Sequence, residues 1–405
     1  MKSGCGIMPP ASHASRASGR DAVDKGIAPP RPSWRFHCAL RQSRACHCRP
    51  CSVRTFSVMN FTALELCAGG GGQALGLEMA GFKHTAAVEY EAQFCDTLRG
   101  NRPDWNVINK DIRELNAADF TGLDLLAGGV PCPPFSIAGK QLGADDERDM
   151  FPTALALING AKPRAVLLEN VQGLASAKFS DYRKDLELRL FKMGYQPEWR
   201  VLQASDFGVP QLRPRFILVG LRADDAAKFM WPTASIKRRL VGETLLDLME
   251  SRGWSGAHSW AEQANDIAPT IVGGSKKHGG PDLGPTRAKR QWRELGVDGM
   301  GIANEPPDSS FPETALPRLT VRMVARIQGF PDSWSFAGKK TISYRQVGNA
   351  FPPPVAEAVG KAIIASFTRK AKFAEDTSAY ESRLLDQEKP SNTSKKCQPK
   401  KVQKR

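Results

Sequence analysis

The segment Pro131-Cys132-Pro133-Pro134-Phe135 holds one thiol on a loop stiffened by prolines on both sides. It follows an apolar run, Leu123 to Ala127, and a Gly128-Gly129-Val130 turn, so Cys132 stands just past the end of a predicted buried strand. In open α/β sheets sites form beyond the carboxyl ends of strands, and a thiol held there is a candidate nucleophile. A lone cysteine is more often a small buried hydrophobe, so its company decides. Glu169-Asn170-Val171 stands at the end of a second apolar run, Ala165 to Leu168, so it can converge with Cys132 on one crevice. Arg213 and Arg215, in Gln211-Leu212-Arg213-Pro214-Arg215, are two apart in an extended segment and point to one face. Together they can hold carbonyl or anionic oxygens. Either one alone reads as a solvated surface charge.

A second set of residues suits a nucleotide-type cofactor. The first predicted strand ends in Glu65-Leu66-Cys67-Ala68-Gly69-Gly70-Gly71-Gly72. Such glycines allow positive φ and close backbone approach, and the helix that follows offers free N–H groups. A tight turn explains a glycine run about as well. The next strand ends in Glu89-Tyr90, an acid about 20 residues on that suits a ribose diol. Asp111-Ile112 then supplies a carboxylate able to accept from an exocyclic amine. The three in this order make an adenosine cofactor credible.

These residues need a scaffold that brings strand ends together. Predicted strands Phe61–Leu66, His84–Glu89, Leu123–Ala127, Ala165–Glu169 and Phe216–Gly220 alternate with predicted helices Ala74–Ala80, Ala92–Arg99, Pro152–Ala161 and Tyr182–Met193. Repeated βα units predict an α/β fold with a doubly wound, mostly parallel sheet. Regularity fails over 223–317, too long for a simple loop, which predicts a second, smaller and irregular domain. Helical pattern returns at Leu319–Ile327 and Pro354–Phe367. The expected layout is a disordered extension at 1–58, a first catalytic part at 59–222, the inserted domain at 223–317, a return at 318–370 and a basic disordered tail at 371–405. Met59, directly before the first strand, is a candidate true start.

The net charge of +15 over 405 residues resembles a nucleic-acid signal, but it sits in the tails. Residues 1–58 carry 10 Lys/Arg against Asp21 and Asp24, and residues 389–405 carry 7 Lys/Arg and no acid, which leaves 59–388 formally neutral. Local patches must therefore carry any DNA argument. In the middle region Lys276, Lys277, Arg287, Lys289, Arg290 and Arg293 cluster with only Asp282 among them and Trp292 beside them. Phosphate positioning is the main duty expected of such cations, and a solvated basic face is the plainer alternative. Cys38, Cys46, Cys48 and Cys51 contain one C-x-x-C and no matching pair, so no metal is expected. No stretch is apolar enough to span a membrane, and nine irregularly spaced cysteines suit a reducing, intracellular setting.

In this order the motifs resemble the DNA cytosine-C5 methyltransferase family, from about residue 60 to 367 apart from the middle. The resemblance rests on the glycine loop, the Pro-Cys loop, Glu-Asn-Val, Gln-x-Arg-x-Arg, Arg318-Leu-Thr, Gln328-Gly329-Phe330-Pro331 and Tyr344-Arg345-Gln346-Val347-Gly348-Asn349-Ala350. It implies a Rossmann-like catalytic domain using S-adenosyl-L-methionine, with the middle region as target-recognition domain. It implies Cys132 as nucleophile, Glu169 as the acid on the target base, and Arg215, supported by Arg213, at the cytosine carbonyl. It also implies Cys67, Gly69, Gly71, Gly72, Glu89, Tyr90, Asp111, Ile112 and Asn349 around the cofactor, and Ser136 in a mobile DNA-facing loop. Double-stranded DNA is the implied partner of a monomeric, cytoplasmic bacterial enzyme, with or without a cognate restriction endonuclease. Two departures stand out: Cys67 replaces the usual aromatic residue against adenine, and Pro133 replaces a common glutamine. An amino-methyltransferase would need a side-chain carbonyl where Cys132 stands. An RNA cytosine methyltransferase would not need about 95 residues for groove reading, and a DNA-binding protein without catalysis would not need the complete Cys132, Glu169 and Arg215 set.

Overall fold

The computed structural model describes residues 60–131, 149–234, 237–274 and 281–369. The expectations placed on the two tails, on Met59, and on Cys132, Ser136, Lys276 and Lys277 lie outside the described residues.

Seven strands form one sheet: β1 (Phe61–Leu66), β2 (Phe82–Glu89), β3 (Val107–Asn109), β4 (Leu125–Gly128), β5 (Ala165–Val171), β6 (Tyr195–Gln203) and β7 (Pro214–Arg222). Their spatial order is β3-β2-β1-β4-β5-β7-β6. The five strands from β3 to β5 pair in parallel. β7 runs antiparallel to both β5 and β6. β4 and the first four residues of β5 read as unbroken apolar runs because both faces are covered. Leu64, Leu66, Leu126, Val166 and Leu168 face one helical layer that includes α3 (Phe151–Ala161) and α4 (Ser180–Lys192). Ala63, Leu125, Ala127, Ala165 and Leu167 face the other, made by α1 (Gly72–Ala80) and later α11 (Pro353–Thr368). Between them α2 (Ala92–Asn101) follows β2. The mostly parallel doubly wound sheet read from the sequence is therefore present.

Two strands escaped the sequence pattern. β3 is only three residues long. β6 has the mixed burial of an edge strand rather than clean alternation. The strand read at Phe216–Gly220 is the antiparallel β7, a direction that side-chain periodicity does not reveal.

The middle region folds as short helices: α5 (Ala223–Ala226), α6 (Val241–Glu250), α7 (Ala257–Gln263) and α8 (Thr286–Glu294). Helices this short enclose little apolar volume by themselves. Val241, Leu245, Trp254, Trp260 and Trp292 bury instead in one core with Met323, Val324 and Ile327 of α9 (Val321–Ile327) and with Phe330, Trp334 and Val347. Val347 belongs to α10 (Lys340–Asn349), and the same core reaches Leu75 of α1 and Leu98 of α2. The inserted segment and the residues after it thus share their packing.

Candidate active site

The strand order reverses direction between β1 and β4, which places a crevice at their carboxyl ends. A cavity of about 720 Å³ opens beside it, lined by Gly129 to Pro131, Glu169 to Gly173, Arg213 to Arg215, Thr270 to Val272, Gly348 and Asn349. Glu169 is near the end of β5, and antiparallel pairing of β5 with β7 sets Arg215 diagonally across from it. Arg215 Nε lies 2.7 Å from Glu169 Oε1, with both side chains about nine-tenths buried. The approach is a close ion pair whose N–H is not aimed along the contact, since Arg215 Nε makes no well-directed hydrogen bond. Burial pushes the Glu169 carboxyl up, and the charges of Arg215 and then Arg213 pull it back down. A buried carboxyl raised in this way is suited to holding a proton for transfer. Gly129 keeps the space in front of it open, because a β-carbon there would come within 3.3 Å of Glu169 Oε2.

Asn170 Nδ2 donates to Val130 O at 3.1 Å, fixing the strand exit that leads to Cys132. Pro131 O accepts from Met150 N at 3.0 Å. Pro131, the residue before Cys132, lines the cavity with Glu169 and Arg215.

The two arginines do different things. Arg213 is 1% exposed and donates to Ile271 O at 2.6 Å, Gly348 O at 2.8 Å and Ala350 O at 3.0 Å. The two line one cavity and both lower the pKa of Glu169, but only Arg215 pairs with it directly.

The glycine loop leaves β1 through Cys67 and Gly69, both at positive φ, and enters α1 at Gly71, φ 86°. Its glycines are needed for packing as well as for access. A β-carbon on Gly72 would lie 2.2 Å from Phe351 O, and one on Gly71 2.5 Å from the Trp334 ring. On Gly69 it would meet nothing closer than Cys67 O at 3.9 Å, so the exposed backbone of the loop is there. Glu89, 6% exposed, accepts from Gly69 N at 2.8 Å and Glu91 N at 2.9 Å, which binds the end of β2 to the loop. Burial raises its pKa despite those bonds. Tyr90 beside it is 59% exposed. Asp111 caps a single turn that begins at buried Ile112 and pairs with Arg113 at 2.6 Å, which holds its carboxyl below the usual range. The Cys67 thiol is pushed up by burial and by the neighbouring acids Glu89, Glu65 and Asp111.

Sequence reasoning passed over Glu65, the last acid of β1. It is 1% exposed, its Oε2 has no hydrogen-bond partner, and burial with the Glu169 charge raises its pKa well above the usual range. Gln73 at the start of α1 is 4% exposed with neither amide atom bonded, and Gln346 Oε1 is likewise unbonded. Its Cβ abuts the position a Gly70 β-carbon would take, at 3.0 Å. Buried polar atoms of this kind call for a polar guest or water. An acid placed just before a glycine loop was the available signal. The donors and acceptors around the loop fit an adenosine with an amino-acid tail: a carboxylate at the β2 end, a second at the β3 end, and backbone N–H groups at the α1 start. Among the described residues no group of three or more His, Cys, Asp or Glu is arranged to hold a metal.

The basic residues of α8 divide. Arg287 and Arg290 are exposed. Lys289 is half-buried and bonds Asp282 Oδ2 at 2.9 Å, so its charge is spent within the fold. Asn349 is exposed on the cavity wall and donates to Gly274 O at 3.1 Å.

The profile of the C-5 cytosine-specific DNA methylase family matches residues 61–365. The type II methyltransferase M.NaeI of Lentzea aerocolonigenes is 58% identical over 319 residues, covering 78% of this chain and 77% of that one. M.NgoMIV of Neisseria gonorrhoeae is 52% identical over 316 residues, covering 77% of this chain and 100% of that one. Among solved structures, Entamoeba histolytica methyltransferase EhMeth superposes with a TM-score of 0.57 at 14% identity, over 77% of this chain and 100% of that one. At that identity the likeness speaks for the fold.

Proposed function

The chain belongs to the C-5 cytosine-specific DNA methylase family, and from that premise we propose that it methylates C5 of cytosine within a specific double-stranded DNA sequence, with S-adenosyl-L-methionine as donor. The observation that carries the reading is the buried Glu169–Arg215 pair on the wall of a cavity whose rim includes Pro131, the residue before Cys132. S-adenosyl-L-methionine, when bound, supplies an electrophilic methyl group. Glu89 holds its ribose, Asp111 its adenine amine through lone pairs not taken by Arg113, and the exposed ring of Tyr90 offers adenine the face that Cys67 cannot.

Methyltransferases reach a base by extruding it from the duplex. The cavity then takes cytosine edge-on. The Cys132 thiolate adds to C6, and the electron pair displaced from the ring reaches N3, where protonated Glu169 neutralises it. Arg215 donates to O2 and fixes the ring. C5, now an enamine carbon, would take the methyl group as the donor's S–CH3 bond breaks and S-adenosylhomocysteine leaves. Loss of the C5 proton to a base then forms the C5–C6 double bond and expels the Cys132 thiolate with its electron pair, and N3 returns its proton to Glu169. Cys67 and Cys95 do not compete: burial and nearby acids raise both thiols, Cys95 to about 11, so neither is a thiolate at neutral pH.

Residues 223–317 read the sequence, with Lys276, Lys277, Arg287 and Arg290 on the phosphates and Ser136 in the loop that meets DNA. Two relatives are named as type II methyltransferases, which supports a restriction endonuclease acting on the same site as the expected partner. No helix among the described residues is long and apolar enough to cross a membrane.

Bisulfite sequencing of DNA from cells expressing the protein should show protected cytosines in one sequence context. A duplex with 5-fluorocytosine at that position should trap a denaturant-resistant adduct on Cys132, and Cys132→Ser should trap none. An adduct mapped to Cys67 or Cys95 would overturn the assignment.

A further inference from the structure

Arg213 occupies a junction that a base contact does not require. Three of its four acceptors among the described residues are backbone carbonyls, and they belong to two segments far apart in sequence: Ile271 on one side, Gly348 and Ala350 on the other. The fourth is Gln211 Oε1, at 3.4 Å. A second path runs in parallel. Gln211 Oε1 accepts from Ile271 N at 2.9 Å, Gln211 Nε2 donates to Gln328 Oε1 at 2.6 Å, and Gln328 Nε2 donates to Ala350 O at 2.6 Å. Gln211 and Gln328 are fully buried. The two segments also touch directly, since a β-carbon on Gly348 would lie 2.4 Å from Gly273 Cα.

Ala268–Gly274 is also held from α10, by Tyr344 OH to Val272 O at 3.2 Å and Asn349 Nδ2 to Gly274 O at 3.1 Å, and along the segment before β7. Leu212 N bonds Ala268 O and Ala268 N bonds Pro210 O, at 2.7 and 2.9 Å. Two residues beyond Arg213 in β7, Arg215 pairs with Glu169. One guanidinium therefore fixes the carbonyls on either side of Asn349, the inner wall segment of the inserted region, and the start of β7, the strand that carries Arg215. Planar, forked donors lock relative positions in a way that a flexible ammonium does not.

Resting on the function proposed above, we propose that Arg213 is a positioning residue that couples cofactor seating at the α10 end to the DNA-facing set of Ala268–Gly274, and that it does not contact the flipped base. Whatever orders Gly348–Ala350 then orders Ile271–Gly273 through shared hydrogen bonds. Binding coupled in this way is reciprocal.

The test uses the full chain, S-adenosylhomocysteine as cofactor probe, and a duplex carrying the site found by bisulfite sequencing. The readout is the ratio of duplex Kd without and with the probe. In the wild type the probe should tighten duplex binding by about tenfold or more. In Arg213→Lys the ratio should fall to near one while each single affinity stays measurable. A base contact would instead lower turnover at saturating DNA and leave the ratio intact, and a merely structural role would lower both affinities without changing it. A ratio retained in Arg213→Lys overturns the proposal. Should Arg213→Lys not fold, Tyr344→Phe decides. It removes a hydroxyl on α10 that bonds Val272 O at 3.2 Å, and also Asp282 O. A reduced ratio there supports the proposal and an unchanged one overturns it. A wild type that methylates its site with a ratio of one sinks the coupling and leaves the function standing. A wild type that methylates no DNA sinks the function itself.

Discussion

Arg215→Ala removes the only countercharge bonded within 4 Å of Glu169 among the described residues. With both side chains about nine-tenths buried, the carboxylate left behind is uncompensated, and losing one partner of such a pair costs about 3–5 kcal/mol. Glu169 can escape by taking up a proton. Arg215 is the first of the influences that lower its pKa, so its loss sends the folded-state value further up. A carboxyl with a raised folded pKa lends stability that is present below its unfolded value and lost as pH rises through the folded one. The deficit of the variant against wild type should therefore grow from pH 5 to pH 8, by at most about 1.4 kcal/mol per pH unit across the window where only the variant's Glu169 is protonated. Turnover should fall about 10²–10³-fold, the usual loss when a donor to a developing oxyanion-like oxygen is deleted. S-adenosylhomocysteine affinity should stay within a few-fold. Urea titrations at pH 5, 6.5 and 8, with tritiated methyl transfer and calorimetry, measure all three. A deficit that shrinks as pH rises, or turnover within about threefold of wild type, would refute the assignment of Arg215 as the partner of Glu169 and of the base.

Glu65→Gln should make stability less sensitive to alkali. Wild-type Glu65 has a strongly raised folded pKa, so its contribution is lost as pH rises through that value, and melting at pH 6 and pH 9 should show the smaller drop in the variant. Gly72→Ala drives a methyl group against Phe351 O, backbone that cannot swing aside, and should destabilise by at least about 1–3 kcal/mol in denaturant titration. Glu89→Gln removes charge-assisted acceptance from Gly69 N and Glu91 N and from a ribose. Cofactor affinity should weaken about 10–100-fold by calorimetry, with duplex binding by the cofactor-free protein unchanged.

Much of the site was legible because its residues are short runs at strand ends. A parallel strand buried on both faces announces itself as Leu123 to Ala127 or Ala165 to Leu168 largely do, and whatever follows falls at the carboxyl edge. The order of the glycine loop, Glu89, Asp111, Cys132, Glu169 and Arg215 along the chain was therefore enough to expect one crevice and an adenosine-type cofactor. Local pattern also marked α1 to α4 to within a few residues, because their apolar spacing is set by each helix alone.

Relations between distant segments were left to the tertiary structure. Nothing local tells β7 to run against β5, yet that direction sets Arg215 across from Glu169. Arg213 and Arg215 are alike in sequence and alternate identically along the chain, but one meets a carboxylate and the other three carbonyls from residues 271, 348 and 350. Gly71 and Gly72 read as cofactor glycines, and only their approach to Trp334 and Phe351 shows that packing demands them too. Glu65 reads as a strand-end acid until the helical layer of α1 and α11 closes over it. The sequence alone determined which chemical groups stand at which strand ends, since period and turn residues are local properties. Which groups touch, and so which are charged, was decided by contacts that close over hundreds of residues and leave no periodic trace in the chain.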